Sequence, residues 1–205
     1  YTPRTGENLV RDVVECLHQE WRDERPGPVV VEMPMDLQRA KASSLPSPAS
    51  VLVNGYQFSG LMAAIDHLKT MAPIVLCGRG ALGAIAQLTE LRKRTRAPFL
   101  YSLPAVGLRG QFPVEAPPWR YEGMIGHTGD AAANALLAHA FTVLVLGSRL
   151  DIRQVGTIGL PLGMRLIRVD VDRGELDTTA KGRELHFRMD VADWLACALE
   201  VWDHA

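Results

Sequence analysis

Two hydrophobic periods alternate along this chain. In the first 38 residues Leu9, Val10, Val13, Val14, Leu17 and Trp21 recur at helical spacing, "RPGP" breaks the pattern, and "VVVEMP" is a short apolar run. The spacing predicts one helix followed by one buried strand. Such a pair cannot enclose a core, so its apolar surfaces need a cover. Residues 39–57, "RAKASSLPSPASVLVNGYQ", are rich in Ser, Ala and Pro without a helical period and read as a linker.

From Phe58 to the end the two periods take turns. A helix carrying Leu61, Met62, Ile65 and Leu68 leads to the strand "PIVLC"; a helix with Leu82, Ile85, Ala86 and Leu91 leads to the strand "PFLYSL". A long loop, Pro104 to Thr128, follows. Next come a helix from Asp130 to His139 with Asp130 as N-cap, the strand "FTVLVLG", the strand "MRLIRVDVD", one more short strand in "ELHFRM", and a closing helix from Val191 to Trp202. Strands alternating with helices predict right-handed crossovers and an α/β, doubly wound, mostly parallel sheet of about five or six strands. The apolar strands read as buried on both faces, as a parallel sheet requires.

Composition narrows the class. With 205 residues, 47% hydrophobic and 22% charged, the chain reads as an ordinary globular protein, and a net charge of −1 with interspersed signs offers no polybasic stripe for nucleic acid. No apolar run approaches the roughly 18 residues of a membrane span and the first residues lack a signal-peptide pattern, so no membrane partner and a cytoplasmic setting are expected. The start at Tyr1 without Met suggests a piece of a longer chain. Cys16, Cys77 and Cys197 are odd in number and lie among apolar residues, which suits buried thiols rather than bridges. The six histidines show no metal-ligand spacing.

Candidate chemistry gathers where strands end. Gly78, Gly80 and Gly83 spell G-x-G-x-x-G between a strand and a helix, where glycines let a backbone approach a pyrophosphate and a helix N-terminus supplies donors. The competing role for these glycines is close strand-to-helix packing. A nicotinamide site also wants an acidic residue about 20 positions on, and "PFLYSL" has none. In "LGSRLDIRQVG", Arg149 and Arg153 present donor forks that match phosphate or carboxylate, unless Arg149 pairs with Asp151 or Asp170 on the rim. Asp170 and Asp172 close the next strand and could accept from ribose hydroxyls or an adenine amino group. His127 and Thr128, ahead of a helix N-terminus, could touch a nucleotide, and His127 has no visible partner for base catalysis.

Taken in order, "RPGPVVVEMPMDLQ", the Pro-rich linker, "PIVLCGRGAL", "EGMIGHTGDAAANALLAHAFTVLVLGSRLDIRQVG" and "RLIRVDVDRGEL" resemble the thiamine-diphosphate-dependent enzymes of the acetohydroxyacid (acetolactate) synthase type. The resemblance implies residues 1–38 as the last helix and strand of a pyrimidine-binding domain, 39–57 as linker, and 58–205 as the central domain, Rossmann-like, of the deoxyhypusine-synthase-like NAD/FAD-binding kind. It implies FAD, ADP or no ligand in that domain. The contacts it implies fall on Gly78, Gly80, Ser102, Leu103, His127, Thr128, Arg149, Arg153, Gln154, Asp170, Val171 and Asp190. Thiamine diphosphate and magnesium belong to the parent enzyme's missing pyrimidine and pyrophosphate domains, because the family's activating glutamate and its G-D-G metal motif are not found in this sequence. A homo-oligomeric parent that decarboxylates a 2-keto acid and joins carbon to carbonyl carbon is expected. The alternatives are a NAD-dependent oxidoreductase domain and a non-catalytic scaffold with a vestigial cleft.

Overall fold

The computed structural model describes residues 5, 9–10, 13, 30–39, 58–112, 121–156, 159–160, 163–177 and 184–204. The chain divides into two compact units, Tyr1–Asn54 and Gly55–Ala205. In the first, Leu9, Val10 and Val13 are helical, and Met35–Gln38 forms a single turn in which Gln38 Nε2 donates to the Met33 carbonyl at 3.0 Å. The strand expected at Val29–Pro34 is not formed over its described part, 30–34, and Val30 is 75% exposed. A strand is stabilised by ladder bonds to a neighbour, and no strand stands beside it among the described residues of this unit. Cys16 and His18 lie outside the described residues, as does the linker apart from Arg39.

The second unit holds helix α1 (Phe58–Thr70), β1 (Ile74–Cys77), α2 (Ile85–Arg94), β2 (Phe99–Tyr101), β3 (Glu122–Met124), α3 (Ala131–Ala138), β4 (Thr142–Leu146), α4 (Ile152–Val155), β5 (Arg165–Asp170), α5 (Arg173–Asp177), β6 (Glu184–Arg188) and α6 (Val191–Glu200). Six strands form one sheet in the order β3-β2-β1-β4-β5-β6, and every neighbouring pair is parallel. The expected doubly wound α/β architecture is therefore present. No helix among the described residues is long and apolar enough to cross a membrane.

Alternation along the strands feeds two cores. Val75, Cys77, Phe99, Tyr101, Leu144, Leu146, Ile167 and Val169 pack with Leu61, Ile65 and Leu68 of α1, Leu88 and Leu91 of α2, and Trp194, Leu195 and Ala198 of α6. Ile74, Leu76, Leu100, Val143, Val145 and Leu166 face the other way, toward Ala133 and Leu137 of α3. Each fully buried Leu or Val contributes about 1.5–3 kcal/mol by leaving water. That is why the continuous apolar runs of β1 and β4 accept complete burial.

Two departures from the sequence pattern matter for the site. The stretch Pro104–Thr128, expected as loop, contains a 3-10 segment at Leu103–Leu108 and the edge strand β3. Glu122-Gly123-Met124 has neither alternation nor β-branching. Its strand exists because β2 offers a ladder, with Phe99 beside Glu122 and Tyr101 beside Met124. It also exists because Arg92 of α2, 7% exposed and stacked 5.3 Å and 5.1 Å from the Phe99 and Phe112 ring centroids, pairs with the Glu122 carboxylate. Helix α2 begins at Ile85, not Leu82, because Gly78–Ala84 winds first as a tight turn, Ala81 N–H donating to Gly78 C=O at 3.0 Å. Leu82, in that turn, and Ile85, at the helix start, are exposed, while Leu88, Leu91 and Arg92 are buried.

Candidate functional site

β1 continues to β2 on one side of the sheet centre, whereas β4 lies on the other side of β1. Open α/β sheets take ligands beyond the carboxyl ends of the strands where the order reverses in this way. Every candidate residue from the sequence lies along this edge.

The glycine turn after β1 closes the reversal point. Gly78 N–H donates to the Leu146 carbonyl at 2.8 Å and Gly80 N–H to the Gly147 carbonyl at 3.1 Å. A Cβ on Gly78 would stand 2.2 Å from the Gly147 oxygen, and one on Gly147, at φ +59°, would stand 2.4 Å from the Gly80 Cα. These glycines let two backbones touch, and the donors of Gly78 and Gly80 are spent on β4 and its loop. Gly83, third in the motif, has nothing within 4 Å of a Cβ position.

The loop after β4 is built by its own polar groups. Asp151 caps α4, its Oδ1 accepting from the N–H groups of Arg153 at 2.9 Å and Gln154 at 3.0 Å. The buried Ser148 hydroxyl donates to Gln154 Oε1 at 2.6 Å. Leu150 sits at φ +52°, a left-handed conformation that costs a branched side chain about 1–3 kcal/mol. Its side chain is 8% exposed and packs in the α3-side core, which holds it there. Behind the loop, Arg168 of β5, 1% exposed, donates to the Ser148 carbonyl at 3.1 Å and the Glu175 carbonyl at 2.8 Å. Burial lowers its pKa from the usual arginine value, against the charges of Glu184, Asp170 and Glu175. Arg149 does not pair with Asp151 or Asp170: its Nε lies 3.2 Å from Glu175 Oε1. Arg153 is exposed, and its guanidinium has no protein partner among the described residues.

A third loop joins these across the sheet. Asp130 stands at the N-cap position of α3 without capping it. Its carboxylate instead accepts from Met124 N–H at 2.8 Å while its own N–H donates to the Met124 carbonyl at 2.7 Å. The Asn134 carboxamide holds Gly126 from both sides, Oδ1 accepting from Gly126 N–H at 2.9 Å and Nδ2 donating to Gly126 C=O at 3.0 Å. Gly126, at φ +115°, lets the loop pass the Arg153 carbonyl, which a Cβ would approach to 2.8 Å. His127 N–H then donates to that carbonyl at 3.0 Å. The loop leaving edge strand β3 is thus fastened to α4, beyond the ends of β2 and β1, and exposed His127 and Thr128 come to lie with Arg153.

The remaining candidates divide. Ser102 is 1% exposed and its hydroxyl has no hydrogen-bond partner among the described residues. Thr142 Oγ1 and Trp194 Nε1 share that state, but Thr142 begins β4 at the opposite edge and Trp194 lies on α6 in the core. Leu103 and Val171 are exposed. Asp170 is 3% exposed with Oδ1 accepting from Asp172 N–H at 3.0 Å, and Asp172 Oδ1 accepts from Gly174 N–H at 2.9 Å. Asp190 caps α6 through Ala192 N–H at 2.7 Å. Both aspartates at the end of β5, and Asp190 with them, thus spend acceptors on backbone donors of their own turns. Cys77 and Tyr101, at the ends of β1 and β2, have their pKa values raised far above the ordinary ranges, mainly by burial and then by the charge of Glu122. No group of three or more potential metal-ligating side chains lies together among the described residues.

Sequence reasoning missed Arg168, Asn134 and Glu175. The first two carried a signal: a charge inside an apolar buried strand, and an amide in an alanine helix. Glu175 carried none.

Residues 61–197 match the family model described as thiamine pyrophosphate enzyme, central domain. The chain is 31% identical over 179 residues to the acetolactate synthase isozyme 1 large subunit of Escherichia coli (strain K12), covering 84% of this chain and 30% of that protein. It is 30% identical over 190 residues to the acetolactate synthase of Arthrospira platensis, covering 86% and 32%. It is 30% identical over 165 residues to the sulfoacetaldehyde acetyltransferase of Alcaligenes xylosoxydans xylosoxydans, covering 76% and 26%. The chain therefore spans about 30% of the length of the curated relatives it matches. Its fold is shared, at a TM-score of 0.73 and 20% identity over 98% of this chain and 38% of the other, with an X-ray structure described as a thiamin diphosphate-dependent enzyme from Mycobacterium smegmatis.

Proposed function

The chain belongs to the family of thiamine pyrophosphate enzyme central domains, acetolactate-synthase-like, and we propose that its carboxyl edge holds an adenine nucleotide, ADP or the ADP half of FAD. The observation that carries this reading is the crossing loop, which brings His127 and Thr128 to an exposed Arg153 with no protein partner among the described residues. A guanidinium beside backbone turns is suited to a phosphate. The fit is better at this half of the edge than at the glycine turn, whose Gly78 and Gly80 donors are already engaged. Arg153, His127 and Thr128 would hold the phosphates, with Gln154 beside them and the buried Ser102 hydroxyl behind. Asp170, Val171 and Asp190 would bound the nucleoside end.

In the parent protein, residues 1–38 would complete a pyrimidine-binding domain, 39–57 would link it, and 58–205 would be the central domain of a homo-oligomeric enzyme acting on 2-keto acids. Thiamine diphosphate and magnesium would sit in the parent's other domains and supply the carbanion chemistry; the central domain's own residues bind and orient the nucleotide.

A second reading, a scaffold domain with a vestigial cleft, is favoured by the closed glycine turn and by the Arg149–Glu175 pair. Melting curves separate the two. A ligand bound only by the folded chain adds about 2.7 kcal/mol at a hundred times its Kd, so ADP or FAD should raise the melting temperature in a saturable way. No shift with either leaves the scaffold, and a shift with NADH alone leaves the oxidoreductase alternative.

A further inference from the structure

We infer that Glu175 is a specificity-determining residue, an internal anion that occupies Arg149 until a phosphate of the ligand displaces it. The inference rests on the nucleotide reading above. Arg149 leaves β4 at the carboxyl edge, yet its Nε is 3.2 Å from Glu175 Oε1, with side chains 52% and 23% exposed. The acid is not a chance surface partner. Its backbone carbonyl is fixed by the buried guanidinium of Arg168, which also grips the Ser148 carbonyl one residue before Arg149. One buried side chain therefore sets both the acid and the loop carrying the base at pairing distance.

The pair is half-exposed, so its net strength is small. A phosphate with charge near −2 can outcompete one carboxylate there, whereas an uncharged ligand cannot. Exchange keeps the cation neutralised throughout: Arg149 moves from carboxylate to phosphate, and Glu175 stays within the electrostatic reach of Arg168. A ligand with a single phosphate would satisfy Arg153 alone; a diphosphate has a second group for Arg149. The edge would then discriminate by phosphate number, at the cost of breaking one ion pair.

The test uses the full chain and Glu175→Gln, which preserves the backbone carbonyl bonded by Arg168. ADP, AMP and adenosine are titrated into both proteins by calorimetry, and Arg149 is followed by phenylglyoxal labelling with mass-spectrometric readout. Losing a weak exposed pair corresponds to about a two- to fivefold gain. The expected result is ADP binding tighter by that factor in the variant, AMP and adenosine unchanged, and faster labelling of Arg149 without ligand. Wild-type ADP binding with equal or weaker binding by Glu175→Gln overturns this inference and leaves the nucleotide site standing. Absence of ADP binding to both proteins, with Arg149 labelling still accelerated, overturns the nucleotide reading and this inference with it.

Discussion

The glycine turn after β1 and the arginine loop after β4 lie side by side at one edge of one sheet, and they spend their polar groups oppositely. The turn gives the N–H groups of Gly78 and Gly80 to its neighbour and permits a backbone contact that no other residue type would allow. The loop has its backbone held by the Asp151 cap, by Arg168 at the Ser148 carbonyl and by His127 N–H at the Arg153 carbonyl, and leaves the Arg153 side chain exposed. A motif associated with ligand binding can thus serve as a seam, while the recognition groups stand on the neighbouring connection.

The largest blow to that contrast should come from Gly78→Ala. A methyl 2.2 Å from a carbonyl oxygen must displace backbone, and overpacking of that kind costs about 3 kcal/mol, read as a lowered urea midpoint. Arg153→Ala should leave the melting temperature unchanged and weaken ADP by about 2 kcal/mol, the worth of a charge-assisted hydrogen bond, measured by calorimetry. A pH titration probes the closed side next. The buried Cys77 thiol has a raised folded pKa, so its contribution is whole below the unfolded value of about 8.5 and is lost as pH rises above it. Near pH 9.5 this amounts to about 1.4 kcal/mol, seen as an alkaline fall in stability that Cys77→Ala flattens. The smallest effect belongs to Gly83→Ala, which meets open space and should stabilise by about 0.5 kcal/mol through the unfolded chain. If Gly83→Ala and Gly78→Ala destabilise alike, the seam description is wrong.

Much of the fold was legible because β1, β2 and β4 are predominantly apolar runs that only a twice-covered sheet can bury. β3 was not, since Glu122-Gly123-Met124 owes its conformation to β2 and to the distant Arg92. Leu82 reads as part of the helix that carries Leu91; a 3-10 turn precedes the helix and leaves Leu82 outside it, which periodicity alone does not register. At the site, the glycines and arginines were visible as residue types. Which way a glycine N–H points, and which acid takes an arginine, depend on tertiary neighbours such as Leu146 and Glu175. Asp130 shows the same limit: it occupies the capping position and serves Met124 instead.

Leu150 ties the arginine loop to the body of the protein in an unusual way. Its main chain is wound against its own preference, while its side chain is buried in the α3-side core. Slackening the burial of that side chain would let the winding relax and carry Arg149 and Arg153 out of place before the protein unfolds. Residues with no view of the rim would then govern what the rim can grasp.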